Sequence, residues 1–562
     1  MATAEFIQDN RGARWIGVST LHREQPLIRQ VPGSRYDTEL DLWKCRPSYT
    51  ACVQLSAIFG PSLEVSDALR EFGRTEFTRA TTRKEMATAT DAPGDERLSC
   101  LQRVGAQFLV DGPTILADEM GSGKTVQACV ALDALAESEF HALIVAPNSV
   151  KRSWAAHIET WTSLSAFVVA GSAKKRTATI AEFVASPRGV LVMNWEQLAL
   201  HSRLAAYGNI RLSEKERTLK ELNFIDFDVI VADEAHRAKN PQAKQTRALW
   251  ALNAGLRWAL TGTPIANHPG DLWAILRFVD PQEWPSRVEY IDRYCVQQFS
   301  PFGGTDIVGV NYQTRGEFYH LIDKYFLRRL KSEVMGRTIE KTQETRYVTL
   351  PPKHRAMYNE FRAELLVLLD NGAMAATNQL AATSRLVQLS AAPLDQDGDN
   401  FRMIDPSPKV KELLALLDDL DGDPLVVFSA SKQLAYLAAA ALEKSDVPFL
   451  LATGDQHEEV RAAAVERFQA GEGRVFLGTT GAISEGVTLT RAKVLCFLQR
   501  DWSMVKNLQA EDRIHRWGQH ANEVTIVNII TEDTIDERVW NVYTTKQGRL
   551  DEITRDSWKK LI

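Results

Sequence analysis

Several features are scarce or missing in this chain of 562 residues. Only six cysteines occur, Cys45, Cys52, Cys100, Cys129, Cys295 and Cys496, and no two of them form a CxxC pair. That scatter argues against a zinc site and a disulfide framework, and it fits a reducing compartment. No apolar run approaches the ~18 residues that a membrane helix needs. The longest, Leu434 to Leu442, is rich in alanine and reads as a buried helix. The N-terminus carries Glu5 and Asp9 and has no apolar signal core, so secretion is not expected. A net charge of −6 excludes a polycation that coats nucleic acid, so any such contact must come from local basic patches. Short-period repeats and low-complexity tracts are absent too. What remains is an ordinary globular composition, 44% hydrophobic and 25% charged, at a length that suggests about three to four domains.

The pattern along the chain divides it into a small α+β N-terminal module (1–95) and two alternating α/β blocks (96–345 and 346–562). In the module, "VPGSRYDTELDLWKC" reads as a turn and a short hairpin with Tyr36 and Trp43 on its arms. "SYTACVQLSAIFG" places Cys52, Leu55, Ile58 and Phe59 on one helical face and stops at Gly60. A second short helix is expected from Ser66, and residues 80–97, small, charged and containing Pro and Gly, read as a linker. From Leu98 short apolar runs alternate with helical stretches: "TILA", "ALIVA", "VLVMN", "VIVA", "WALTG". That is the signature of a parallel sheet with crossover helices. A helical region is expected from about 345 to Pro393 and a loop over 394–408. A second series follows: "LVVFS", "FLLAT", "VFLGTT", "VLCFL", "VTIVNII".

"ILADEMGSGKT" follows a strand and opens a helix. Gly121 and Gly123 let backbone N–H groups wrap a phosphate, Lys124 can reach the terminal phosphates, and the Thr125 hydroxyl can ligate Mg²⁺. The strict pattern fails at its first position, Asp118, and the stretch alone would equally suit a glycine turn with a solvated lysine. "FDVIVADEAH" is an apolar strand ending in Asp233 and Glu234, at the strand edge where open α/β sheets bind ligands. There Asp233 would hold Mg²⁺ and Glu234 would activate water, although an acidic cap of the next helix has the same appearance. The two motifs together point to nucleotide hydrolysis. Near the C-terminus, "QAEDRIHRWGQ" places Arg513 and Arg516 three apart, on one face if the segment is helical, with Gly518 as its stop. By itself this could be a surface pair balanced by Glu511 and Asp512.

These motifs resemble helicase superfamily two. "DEAHRAKNP", "ALTGTPIANHPGDLWAILRFVDP" and "FLRRLKSEV" are similar to the Swi/Snf-type branch, over roughly residues 98 to 545. The resemblance implies two RecA-like parallel-sheet lobes with helical protrusions between them, and an ATPase that moves on duplex DNA. It also implies residue roles. Gln102 would read the adenine, while Met120 and Ser122 complete the phosphate loop. Gly486 and Gln509 would lie on the nucleotide side. Ser149, beside the helix start at 146–154, would grip a DNA phosphate, whereas Trp154 reads as a core anchor. Thr261, Thr263 and Asn267 would couple nucleotide to DNA, with Thr261 and Asn267 among the DNA contacts. Thr479 and Thr480 would touch DNA from the second lobe. Arg513 and Arg516 occupy the positions of the arginine fingers. The chain departs from the family where Ile483 and Ser484 replace a double glycine, Thr488 replaces asparagine, and Ser503 and Met504 replace Asn-Pro. In "SEGVTLT" and "QAEDRIHRWGQ" it is closest to the HARP-type annealing helicases, and "VPGSRYDTELDLW" resembles their substrate-recognition module, with Tyr36 and Trp43 as the matching aromatics. Those aromatics could also form the module's own core.

The expected activity is therefore an ATP- and Mg²⁺-dependent motor on duplex or forked DNA, working through phosphates as a monomer and without membrane attachment. Its compactness suggests a bacterial or phage-infected cytoplasm, or a nucleus if eukaryotic, and a part in DNA repair, replication or recombination. Two other functions compete: a strand-separating helicase, for which no wedge is visible in the sequence, and an ATP-gated DNA clamp with little turnover.

Overall fold

The computed structural model describes residues 2–8, 14–31, 33–264, 269–299, 305–335, 339–370, 376–397, 400–482, 487–516 and 519–551. The chain divides into two compact units, Met1–Val334 and Met335–Ile562.

The first unit opens with a five-stranded sheet: β1 (Ala2–Gln8), β2 (Arg14–Ser19), β3 (Arg35–Asp37), β4 (Leu42–Cys45) and β5 (Leu63–Val65), in the order β3-β4-β2-β1-β5. Only the β1–β5 pair is parallel. The expected hairpin is β3–β4, with Tyr36 opposite Trp43 and their rings 5.6 Å apart. The two aromatics divide the alternatives between them: Trp43 is buried in the module's core and Tyr36 is exposed. The helix Tyr49–Phe59 starts on the Ser48 side chain and stops at Gly60, whose φ of 53° suits glycine. Its expected face packs into the core with Ile16, Val18, Cys45 and Leu69.

The second helix is not short. It runs from Asp67 to Thr88, so residues 80–88 are helix rather than linker, and only the stretch from Ala89 to Ser99 is irregular. The reason is tertiary. Arg83 is wholly buried, donating to Lys324 O (2.5 Å), Asp111 Oδ2 (3.1 Å) and Thr114 Oγ1 (2.8 Å), with its guanidinium 3.9 Å from the Phe108 ring centroid. Burial holds that guanidinium down to about 10. Nearby, Glu283 Oε1 and Oε2 accept the backbone N–H groups of Thr50 and Tyr49 at 3.1 Å each, capping a module helix from outside the module.

The larger sheet of this unit consists of β6 (Thr114–Leu116), β7 (Phe140–Ala146), β8 (Ser165–Val168), β9 (Arg188–Asn194), β10 (Asp226–Asp233), β11 (Asn253–Leu260) and β14 (Phe326–Leu327), with a separate hairpin β12 (Cys295–Phe299) and β13 (Thr305–Val310) between β11 and β14. Its order is β14-β6-β11-β10-β7-β9-β8, and every pairing is parallel. The five expected runs are β6, β7, β9, β10 and β11. Crossover helices cover the sheet, and Phe108, Leu132, Ile144, Trp154, Val231 and Trp258 lie in its core.

The second unit has its own six-stranded parallel sheet: β15 (Glu340–Val348), β18 (Leu425–Ser429), β19 (Phe449–Ala452), β20 (Val475–Thr479), β21 (Val494–Gln499) and β22 (Glu523–Thr531), in the order β15-β22-β21-β18-β20-β19. The five expected runs are all present. The edge strand β15, "EKTQETRYV", is polar and mostly exposed, so no apolar run marks it. The helices begin at Pro352, as Pro352–Asp370 and Ala376–Leu389. The loop expected over 394–408 contains a second hairpin, β16 (Leu394–Asp397) and β17 (Asn400–Met403). Lys409 is fully buried yet satisfied, donating to Leu498 O (2.8 Å), Ile529 O (2.7 Å) and Asp536 Oδ2 (2.5 Å). Among the described residues no helix is long and apolar enough to cross a membrane.

Candidate active site

The phosphate-loop candidate lies between β6 and the helix Lys124–Leu135. Gly121 (φ 74°) and Gly123 (φ 83°) adopt left-handed backbone that glycine takes at little cost. A Cβ at Gly123 would also lie 2.4 Å from Gln102 Nε2. Gln102 Oε1 accepts from the Ser99 backbone N–H (3.0 Å) and its Nε2 donates to Ser122 O (3.0 Å), so this side chain ties the previous helix start to the loop. Lys124 Nζ donates to the carbonyls of Asp118 (2.8 Å) and Glu119 (3.1 Å). Ser122 Oγ is buried with no hydrogen-bond partner among the described residues. A phosphate oxygen would satisfy that hydroxyl, and Thr125 sits on the first helical turn beside it, so these residues fit a magnesium nucleotide. No cluster of three or more His, Cys, Asp or Glu among the described residues could hold the metal on its own.

Asp118, the departure from the phosphate-loop pattern, has a structural explanation. It is fully buried and bonded to Arg329: Oδ1 accepts from Arg329 N and Nε at 3.0 Å each, and Oδ2 from Nη2 at 2.5 Å. Gln127 joins the pair, accepting from Arg329 Nη2 at 3.1 Å. The carboxylate therefore clamps the loop's first residue to "FLRRL". Gly105 makes room for the clamp, since a Cβ there would meet Gln127 Oε1 at 1.7 Å. No local pattern assigns Arg329 this role; the available signal is an acid at the end of an apolar strand, which needs a cation.

Asp233 and Glu234 do emerge at the C-terminal end of β10. Asp233 is oriented on three sides: Trp154 Nε1 donates to Oδ2 (2.8 Å), Glu234 N to Oδ1 (2.9 Å), and Trp195 Nε1 to the carbonyl (3.0 Å). Trp154 is thus a core anchor, as expected, whose indole N–H also aims a carboxylate. Glu234 has a φ of 49°, uncommon for a residue with a side chain. Its carboxylate lies 3.2 Å from His236 Nδ1, which lies 3.3 Å from Thr261 Oγ1. Thr261 Oγ1 accepts from Thr263 N (3.1 Å), and Gly262 packs against Met120, where a Cβ would meet Cγ at 2.4 Å. Arg328 Nη1 spans the carbonyls of Ala117 (2.9 Å) and Gly262 (3.2 Å). The phosphate loop, the "DEAH" turn and the "TGT" turn are therefore wired together at one sheet edge. Thr261 and Thr263 are both buried in this wiring. Asn267 lies outside the described residues. Ser149 is half-buried in the turn Asn148–Val150, directly before the helix Lys151–Trp161.

In the second unit, Thr479 and Thr480 are both buried at the end of β20, Thr480 N donates to Ser429 O (3.1 Å), and Thr480 Oγ1 has no partner among the described residues. Gly486, Ile483, Ser484, Trp517 and Gly518 lie outside the described residues. The helix Met504–Glu511 ends before the two arginines, so Arg513 and Arg516 are carried on turns and not on a helical face. They converge nonetheless: Nη1 of each donates to Val487 O at 3.2 Å. Nor does Glu511 balance them. It is buried and bound to Arg500 (2.9 Å), Lys341 (3.0 Å) and Tyr543 (2.7 Å). Burial lowers the Arg516 pKa, and Asp512 partly offsets that. Gln509 is half-buried on the same helix, which Ser503 caps and whose first residue, Met504, is core.

Comparison with known proteins agrees with these motifs. The SNF2-related domain matches residues 104–420, more than half the chain, and the helicase conserved C-terminal domain matches residues 408–518. The chain is similar to the DNA annealing helicase and endonuclease ZRANB3 of Mus musculus, 27% identical over 80% of this chain and 40% of that protein. It is also similar to the SWI/SNF-related matrix-associated actin-dependent regulator of chromatin subfamily A-like protein 1 of Xenopus tropicalis, 26% identical over 92% of this chain and 52% of that protein. A solved Sulfolobus solfataricus SWI2/SNF2 ATPase core in complex with dsDNA matches at 22% identity and a TM-score of 0.38, over 84% of this chain and 96% of that one. The chain spans about half or less of the length of these curated relatives.

Proposed function

The chain belongs to the SNF2-related family of helicase-like ATPases that act on DNA, and from that membership we propose that it is an ATP-driven translocase on duplex DNA. The observation that carries this reading is the hydrogen-bonded cluster of phosphate loop, "DEAH" turn and "TGT" turn at one sheet edge, joined through His236–Thr261 and through Arg328 to Ala117 and Gly262. Such wiring lets the state of a bound phosphate reach the turn that follows β11.

In this reading Met120 to Thr125 cradle the triphosphate of ATP, with Lys124 exchanging its two carbonyl partners for phosphate oxygens. Thr125 and Asp233 hold Mg²⁺, which when bound neutralises phosphate charge. Trp154 and Trp195 keep Asp233 aimed. Glu234 takes the proton of the attacking water, and His236 holds that carboxylate toward Thr261. Arg513 and Arg516 leave the Val487 carbonyl to stabilise charge on the γ-phosphate, a contribution worth ~10³–10⁵ in rate. Gln102, Gly486 and Gln509 complete the nucleotide side. Ser149, Thr261, Asn267, Thr479 and Thr480 serve the DNA side, where contacts to phosphates make binding sequence-tolerant and steeply salt-dependent.

The N-terminal module is proposed to recognise forked substrate in the manner of the HARP-type module. Two observations support this. The 92% match to the Xenopus protein covers more than residues after 97 could supply, so it reaches into the module. The module also presents exposed arginines resting on aromatic rings: Arg14 on Phe6 (3.5 Å), Arg35 on Trp15 (4.4 Å) and Arg29 on Trp43 (5.6 Å). Guanidinium groups held this way suit phosphate recognition.

A triplex-displacement assay tests the motor. ATP, but not a non-hydrolysable analogue, should strip the third strand from a duplex. ATP hydrolysis without displacement would remove the translocase reading.

A further inference from the structure

Between β11 and β14 the first unit carries a hairpin, β12 and β13, that among the described residues pairs with no other strand. Its base is firmly held. Asn311 N donates to Tyr294 O (2.8 Å), while Asn311 Nδ2 (3.1 Å) and Thr314 Oγ1 (2.6 Å) donate to Arg293 O. Arg293 in turn forms a two-pronged ion pair with Glu317, at 2.8 and 2.6 Å. Tyr290, one turn earlier, donates to Pro269 O at 2.9 Å, and β13 packs beside the turn Pro269–Asp271. That turn leads into the helix Leu272–Val279.

Beyond this base the strands project into solvent. Phe299, at the end of β12, is 89% exposed, and Tyr312, just after β13, is 79% exposed with the Arg315 guanidinium 4.9 Å from its ring centroid. Val296 and Val308 are exposed as well, and the register shift between Val296 and Gln297 leaves Val308 outside the regular pairing. A bulge of this kind bends the strand, raises its local twist and re-aims its side chains. An isolated two-stranded ribbon is marginal in water, and an aromatic this exposed adds nothing to its own fold. Asp306 is the one charged residue in the two strands. Phosphate gripping would need cations there; stacking on a base needs only an open ring and little repulsive charge.

We propose that this hairpin is a junction pin: Phe299 stacks on the last base pair where duplex meets single strand in forked DNA. The proposal rests on the reading of the chain as a DNA motor, and adds a strand-engaging part that no stretch of the sequence advertised. Phe299, Val296 and Val308 form the contact, and the Arg293–Glu317 base keeps the pin rigid while the motor draws duplex toward it.

The test measures binding of the full chain, without turnover, to a blunt duplex and to a fork of the same length at one salt concentration. Wild type should prefer the fork, and Phe299→Ala should weaken fork binding about tenfold, the scale of one lost base–aromatic stack. Phe299→Trp should keep the preference, and blunt-duplex binding and duplex-stimulated ATPase should not change. The proposal is overturned if Phe299→Ala matches wild type on the fork, as a protein-docking hairpin would. It is equally overturned if fork and duplex weaken together. A wild type without duplex-stimulated ATPase would instead remove the motor reading, a distinguishable failure because the fork preference is measured without ATP.

Discussion

Asp118 and Arg329 show what a side chain can hide from its own sequence neighbourhood. Local spacing identified Gly121, Gly123, Lys124, Thr125, Asp233 and Glu234, because a phosphate loop and a strand-end acid pair are built from adjacent residues. The clamp was not legible, since its partners lie 211 residues apart and one of them breaks the pattern. The same holds for His236 and Trp154, whose bonds to Thr261 and Asp233 depend on how strands are ordered in the sheet. Asp118→Ala should destabilise the chain by about 3–5 kcal/mol in urea unfolding, the cost of stranding a buried partner, and Asp118→Ala with Arg329→Met should recover part of the loss. A double variant as unstable as the single one would show that the pair does not act as a unit. Trp154→Phe keeps the packing but removes the bond to Asp233. It should raise the Mg²⁺ concentration needed for half-maximal ATPase by about 10–100-fold while leaving the melting temperature nearly unchanged.

Whole elements were legible where apolar runs are continuous, and invisible where burial depends on a distant surface. Ten core strands are apolar runs and could be read directly; β15 could not, being a polar edge strand, and β8 and β14 are too short or too exposed to stand out. The helix Asp67–Thr88 has linker-like composition in its last third, and burial of Arg83 overrides it. Arg83→Met should therefore cost about 3 kcal/mol in denaturant unfolding, and Arg83→Lys should not restore it, because lysine cannot reach three acceptors and stack on Phe108 together. For the same reason, removing residues 2–90 should lower thermal stability and basal ATPase together. A truncated chain as stable and active as the whole would contradict the attachment. On the helix Arg315–Asp323, burial pushes the Asp323 carboxyl up to about 6, with Lys84 pulling the other way. Its folded pKa is raised, so its charged form costs stability above about pH 6, and that cost vanishes as pH falls toward the ordinary carboxylate range. Asp323→Asn should stabilise the chain at pH 8, by about 1 kcal/mol after allowance for partial exposure, and have no effect near pH 4. Equal stabilisation at both pH values would remove the titration argument.

At the scale of the molecule, each unit has its own parallel sheet and core, and the candidate chemistry is divided between them. The first holds Lys124, Asp233 and Glu234; the second holds Arg513 and Arg516. The two alternating series of apolar runs made this duplication visible in the sequence, and the motif order made the family visible. That the two arginines share the Val487 carbonyl was not visible, because Val487 is reached through a turn and not along a helix. Arg513→Ala and Arg516→Ala should each bind ATP within a few-fold of wild type yet lose ~10³-fold or more in hydrolysis. Full turnover in either variant would mean that the pair is only structural. Lys124→Ala should lose both binding and turnover. The central claim, that this is a nucleotide hydrolase coupled to duplex DNA, is met most directly by steady-state ATPase rates with no DNA, with single strands and with blunt duplex at one fixed salt concentration. Duplex should raise the rate many-fold above both other conditions, and the rise should shrink as salt increases. A rate that is the same with and without duplex would contradict it.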